Sequence, residues 1–183
     1  NDLPALNGLR MHYLDEGPTH AKRTWLCLHG NPSWSYLYRK MIPVFLAQGD
    51  RVVAPDLIGF GKSDKPKKED QLSFGWHRQV LLELVEQLDL KRVVLLVQDW
   101  GGILGLTLPM AAPERYQGLL VMNTLLATGD EPLSPGFMAW REMCRAKPDF
   151  EVGRLFARGN PHLSSAECTA YEAPFPDRGH RAA

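Results

Sequence analysis

Three short segments carry residue types that could do chemistry: Val97-Gln98-Asp99-Trp100-Gly101-Gly102, His29-Gly30-Asn31-Pro32, and Asp56-Leu57-Ile58-Gly59-Phe60-Gly61-Lys62-Ser63. In the first, one acidic residue stands between a run of Val and Leu and two glycines. A carboxylate at a sharp turn from a buried strand into a helix is lifted above the sheet edge. There it can attack a carbon electrophile and form a covalent intermediate. The pattern departs from the usual one at position 97, where Val stands in place of Gly. The same string also suits a plain helix N-cap, for which Asp is a favoured residue, and the segment alone favours that plainer role.

The second segment directly follows a predicted strand. On hydrolase folds an H-G-x loop at this place offers a backbone N–H to an oxyanion, with the N–H after the nucleophile as the other donor. His29 invites assignment as a general base, but a base belongs after the last strand of such a sheet. His29 is instead expected to fix its own loop by hydrogen bonds. The third segment ends like a phosphate-binding loop in Gly61-Lys62-Ser63. That motif needs Gly where Asp56 stands and a place after the first strand, so a tight loop after the third predicted strand is the better reading.

The elements that must position these residues alternate short apolar runs with helical spacing, the pattern of a parallel sheet covered on both faces. Strands are expected at residues 9–14, Thr24–Leu28, 51–54, 92–97 and 119–122. The fourth is almost purely β-branched and Leu, as in a strand buried on both faces. Helices are expected at residues 35–47, at 74–88 with Val80, Leu81, Leu84, Val85 and Leu88 on one face, and at 101–112. After about Leu125 the character changes. Residues 128–136 read as a linker, residues 137–146 and 152–158 as helices, and Ser164 as the cap of a third helix through Glu167. The expected division is residues 1–125 as a sheet-bearing core and 126–183 as a helical cap.

Of the 183 residues, 44% are hydrophobic and 23% charged, enough for a sizeable core. Lys+Arg and Asp+Glu are equal at 21 each, so charge does not point to nucleic acid or to an anionic membrane. The mixed run at residues 65–70 reads as a solvated loop. Three cysteines without close spacing argue against a disulfide framework or a zinc site and for a reducing compartment; Cys27 reads as a buried, inert thiol. No run approaches a membrane span. No signal peptide is visible, though the chain starts at Asn1 rather than Met.

The combination resembles the haloalkane dehalogenases. It is carried by His29-Gly30-Asn31-Pro32-Ser33-Trp34-Ser35-Tyr36-Leu37-Tyr38-Arg39, by residues 54–64 and 98–109, and by Tyr171-Glu172-Ala173-Pro174-Phe175-Pro176-Asp177. The resemblance implies an α/β-hydrolase fold, with a mostly parallel sheet, flanking helices and a helical cap. It implies Asp99 as nucleophile, the N–H groups of Asn31 and Trp100 as oxyanion hole, Trp100 and Trp140 as halide-binding indoles, and Phe137 as a pocket wall. No metal or cofactor is implied. The implied partners are a small halogenated hydrocarbon, water and halide, with a monomeric parent in the cytoplasm. In some family members the triad acid follows the sixth strand. Here Met122-Asn123-Thr124 holds no carboxylate, so the resemblance places an Asp after a seventh strand and the base His after an eighth, both beyond Ala183; His162 and His180 are poor substitutes. The lead-in to the first strand is likewise expected to precede Asn1. An epoxide hydrolase, a luciferase-like oxygenase or a catalytically inert module that binds a hydrophobic ligand remain the rivals, and Tyr171 would matter to the first.

Overall fold

The computed structural model describes residues 3–67, 72–126, 129–147 and 150–181. Five strands, β1 (Tyr13–Glu16), β2 (Thr24–Leu28), β3 (Arg51–Pro55), β4 (Val93–Gln98) and β5 (Tyr116–Met122), form one sheet in the order β1-β3-β2-β4-β5. Only β1 runs antiparallel to its neighbour; the other pairs are parallel. The central strands β2 and β3 are buried at every position, whereas β5 alternates between half-buried and exposed residues. This is the burial expected of inner and outer strands in a covered sheet.

Successive side chains of a strand point to opposite faces, and the core divides accordingly. Leu26, Leu28, Val53, Leu95 and Val97 pack with Leu81, Val85 and Leu104 from α2 (Phe74–Gln87) and α3 (Trp100–Gly105). Trp25, Cys27, Val52, Ala54 and Leu96 pack on the other face with Tyr38 and Ile42. The residues of α2 that are buried are Val80, Leu81, Leu84 and Val85, and Ser73 caps the helix by accepting from the Trp76 N–H. The helical spacing and the contacts therefore agree.

Three expected elements differ, each for a local reason. The helix expected over residues 35–47 is a 3-10 turn (Ser35–Tyr38) followed by α1 (Ile42–Leu46). Pro43 is acceptable in the first turn of α1, but inside one continuous helix its ring would collide with the carbonyl four residues earlier. The helix expected over 101–112 is α-helical only through Gly105. Pro109 has no N–H to give the Gly105 carbonyl, and the Leu108 N–H takes it instead at 2.9 Å. The first strand starts at Tyr13 rather than at residue 9, because residues 10–12 bond to the loop after β3. The Asp64 N–H donates to the Arg10 carbonyl, the Asp56 N–H to the His12 carbonyl, and the His12 N–H to Ser63 Oγ.

Beyond β5 the described residues form helices and no strand: α4 (Pro135–Ala146), α5 (Val152–Gly159), α6 (Ser165–Glu172) and a 3-10 turn (Arg178–His180). Ser134 caps α4, and Ser164 with Glu167 forms a full capping box on α6. The linker and the mixed-charge loop lie partly outside the described residues, at 127–128 and 68–71. The α5–α6 pair closes on Gly153, whose N–H donates to Glu172 at 2.7 Å, and on the stacked rings of Phe156 and Tyr171. Arg39 ties this pair to the core through Tyr171 Oη at 3.1 Å and through Glu167, and the Trp34 indole donates to the Ala170 carbonyl. Among the described residues no helix is long and apolar enough to cross a membrane.

Leu95 is fully buried at the centre of β4. Leu95→Ala is expected to lower stability by about 2–5 kcal/mol, read as a lower midpoint of urea unfolding with an unchanged slope.

Candidate active site

The strands β2 and β4 lie side by side and parallel, with Leu28 opposite Val97. Both end at the same level, so the loops that follow them meet above the sheet. Asp99 begins α3 with φ 52° and ψ −126°, and its side chain makes no capping bond to that helix. The plain capping role therefore does not hold. Its carboxylate turns instead to the neighbouring loop, where Oδ1 accepts the Asn31 N–H at 2.9 Å. Positive φ is costly for a residue with a Cβ. Asp99 is held there by bonds on both sides: its carbonyl accepts Thr124 Oγ1–H at 2.7 Å and its N–H points at the Asn123 carbonyl at 3.3 Å.

Two glycines make the approach possible. A Cβ on Gly101 would lie 2.0 Å from the Leu28 carbonyl oxygen, and one on Gly30 would lie 2.3 Å from Asp99 Oδ1. The Leu28 carbonyl is itself held from the other side by the buried Tyr38 hydroxyl, which donates to it at 2.6 Å. The Asn31–Pro32 peptide of the same loop is cis.

His29 is fully buried and uses both ring nitrogens. Nδ1 donates to the Gly30 carbonyl, and Nε2 accepts the Leu57 N–H, each at 2.9 Å. Burial lowers its pKa. It fixes the loop and has no free nitrogen for proton transfer. Asp56 does the same from below. Its fully buried carboxylate accepts the Ser35 and Lys62 N–H groups at 2.8 and 2.9 Å and meets His12 Nδ1 at 2.7 Å.

Two cavities share Asn31, Phe60 and Trp100 in their walls, and Asp99 itself lines neither. The smaller, about 150 Å³, also has Leu57, Leu72, Phe74, His77 and Leu104 in its wall. The larger, about 640 Å³, has Phe137 and Trp140 in its wall. Asn31, Trp100, Phe137 and Trp140 are thus brought together around one cavity, and Asn31 links that cavity to Asp99. Trp100 is 36% exposed, and Trp140 meets Phe150 edge to face. Tyr171, which an epoxide-opening site would want, is buried against Arg39 and lines neither cavity. Among the described residues no three metal-ligating side chains converge.

Sequence reasoning misses Tyr38, Thr124 and His77. Thr124 belongs to the Met122-Asn123-Thr124 string, whose absent carboxylate draws the eye away from its hydroxyl; that hydroxyl seats the Asp99 turn. His77 sits in an unremarkable helical pattern. Only the structure shows it half-buried in the cavity wall with Nδ1 lacking a partner, and burial brings its pKa down to about 4.

The protein matches the model of the alpha/beta hydrolase fold family over residues 25–157. It belongs to that family. Within it, the chain is 47% identical over 174 residues to a haloalkane dehalogenase of Psychrobacter cryohalolentis, a match that covers 94% of this chain and 57% of the relative. It is 45% identical over 175 residues to a haloalkane dehalogenase of Mycolicibacterium paratuberculosis, covering 95% and 58%. The tetrameric haloalkane dehalogenase of Paraglaciecola agarilytica superposes with a TM-score of 0.95 at 47% identity, over 99% of this chain and 60% of that one. The chain thus spans somewhat under two thirds of the length of these relatives, and that last relative is a tetramer where the sequence resemblance implies a monomeric parent.

Gly101→Ala should cost about 1–3 kcal/mol or more, because the atom it meets is backbone; a drop in the melting temperature reads this. His77 gives a pH dependence with a definite sign. Its folded pKa near 4 lies below the ordinary 6.5, so the unfolded chain binds the proton first. Stability is complete above pH 6.5 and falls as pH drops towards 4, by on the order of 2–3 kcal/mol. His77→Gln should flatten this slope in urea titrations at successive pH values.

Proposed function

We propose that the chain carries the nucleophilic half of a hydrolytic haloalkane dehalogenase site, with Asp99 as nucleophile. The observation that carries this reading is the Asp99 carboxylate itself, held off its own helix and turned to the Asn31 N–H. Among the described residues Oδ2 accepts no hydrogen bond, so one oxygen is anchored and the other is available. Oδ2 attacks the carbon bearing the halogen in line with the leaving group. The C–O bond forms as the carbon–halogen bond breaks, and halide departs with the bonding pair.

The developing halide needs donors in an apolar wall. The indoles of Trp100 and Trp140 supply N–H groups without a transferable charge, and Phe137 shapes the same wall. Hydrolysis of the resulting ester follows, with water attacking Cγ of Asp99. Oδ1 then becomes the oxyanion, already beside the Asn31 N–H, with the Trp100 backbone N–H as second donor. That step needs a base to activate water. None of the described histidines is hydrogen-bonded to Asp99: His29 has both nitrogens engaged, while His12 and His180 pair with Asp56 and Asp177. The reading expects the base His and its Asp from sequence following Ala183. Its partners are a small halogenated hydrocarbon, water and halide. The three free cysteines support a reducing, cytoplasmic setting.

The test is intact mass after incubation with 1,2-dibromoethane. A bromoethyl adduct that is absent in Asp99→Asn is expected, and a folded chain that stays unmodified overturns the reading. A hydrogen bond to a charged partner is worth about 1.5–3 kcal/mol. Trp140→Phe should therefore slow adduct formation by about 10- to 100-fold, measured as the rate of mass gain.

A further inference from the structure

The larger cavity is unevenly charged in a chain whose acids and bases are equal in number. Among the described residues, Lys67, Arg141, Arg145, Arg178 and Arg181 line it and no carboxylate does. Arg181 reaches Glu172 at 2.6 Å, outside the wall, and its Nε is buried without a partner. Among the described residues, Lys67, Arg141, Arg145 and Arg178 form no ion pair. Most of the remaining wall is aromatic or aliphatic, with Phe60, Phe137, Trp140, Phe150, Val152 and Phe175, alongside Asn31 and Cys144. Lys67, Arg141, Arg145 and Arg178 are exposed and form the solvated rim of the cavity, but they come from three separate stretches of chain and converge on one concavity, where their fields add. A volume of about 640 Å³ is also far more than a halide or a two-carbon haloalkane fills.

We infer that this cavity takes an amphipathic anion, with an apolar chain against the aromatic wall and a carboxylate among the arginines. Combined with the proposed role of Asp99, on which this part rests, the substrate class becomes ω-haloalkanoates, with the halogen-bearing carbon toward Asp99 and the carboxylate at the cationic rim. The reaction is the same displacement: the Asp99 Oδ2–carbon bond forms, the carbon–halogen bond breaks, and halide leaves with its electron pair while the distal carboxylate is unchanged.

Two measurements on the 183-residue chain separate the inference from the reading beneath it. The first is equilibrium binding of hexanoate and of 1-hexanol, followed by tryptophan fluorescence, which Trp100 and Trp140 report from the cavity wall. Hexanoate is expected to bind at least about tenfold more tightly in 0.01 M salt. The advantage should shrink several-fold in 1 M NaCl, where the screening length drops from about 30 to about 3 Å. It should shrink likewise in the double variant Arg141→Gln/Arg145→Gln, whose sites lie on the exposed face of α4, with folding checked by circular dichroism. The second is alkylation by 6-bromohexanoate and by 1-bromohexane, read by intact mass, in which the bromohexanoate should react faster at low salt. Equal binding of hexanoate and hexanol, or binding indifferent to salt and to the arginines, overturns the inference, while an Asp99 adduct from 1-bromohexane would leave the proposed function standing. Tight, salt-sensitive binding of hexanoate with no adduct from either bromide would overturn the Asp99 reading and the substrate class together, and leave only an anion-binding cavity.

Discussion

The parallel pairing of β2 with β4 is the constraint on which the site depends. Because Leu28 stands opposite Val97, the residues that follow each strand emerge at the same height and one strand spacing apart. Asn31 and Asp99 are distant in the chain, yet a backbone N–H of one loop meets the carboxylate of the other at 2.9 Å. Parallel strands put like ends together, so the loops at one sheet edge form a shared surface. The glycines at 30 and 101 then remove the Cβ atoms that would hold the two loops apart. The strained backbone of Asp99 is maintained by the bonds around it, from Thr124 and Asn31, rather than by its own preference.

The polar groups beneath that surface explain why the loops hold one shape. Buried carboxylates and imidazoles are tolerated where their hydrogen bonds are made. Asp56 and His29 are both fully buried and both satisfied by backbone groups of neighbouring loops. His29 binds the loop after β2 to the loop after β3, and Asp56 binds the loop after β3 to the turn before α1 and to His12. The loop that bears Asn31 is therefore set by a small polar network under it. The wall of the larger cavity combines aromatic side chains with five cations, while the overall formal charge of the chain is zero.

Much of this architecture is legible in the residue pattern. The strands at Thr24–Leu28 and Arg51–Pro55 and the helix α2 follow from continuous apolar runs and from 3.6-residue spacing, because local periodicity decides which side of an element can be buried. The Ser164–Glu167 capping box is equally local. The two helices that prove shorter than their apolar patterns, at residues 35–47 and 101–112, contain Pro43 and Pro109, whose effect depends on where in a helix they fall. The start of β1 is set by a loop some fifty residues away, through the Ser63 and Asp64 bonds, which no local pattern contains.

Residue order alone thus specifies the residue types of the site, the order of the elements that carry them and the family to which the chain belongs. The choice between two roles for Asp99, helix cap or carboxylate turned away from its helix, is made only by the folded chain. That choice depends on a backbone dihedral and on a donor 68 residues away, Asn31. Folding also makes His29 a strut, because both of its nitrogens are consumed by partners the chain brings from elsewhere. The gathering of five cations around one cavity is of the same kind. Composition records equal numbers of acids and bases, and only the fold determines which of them face each other across space.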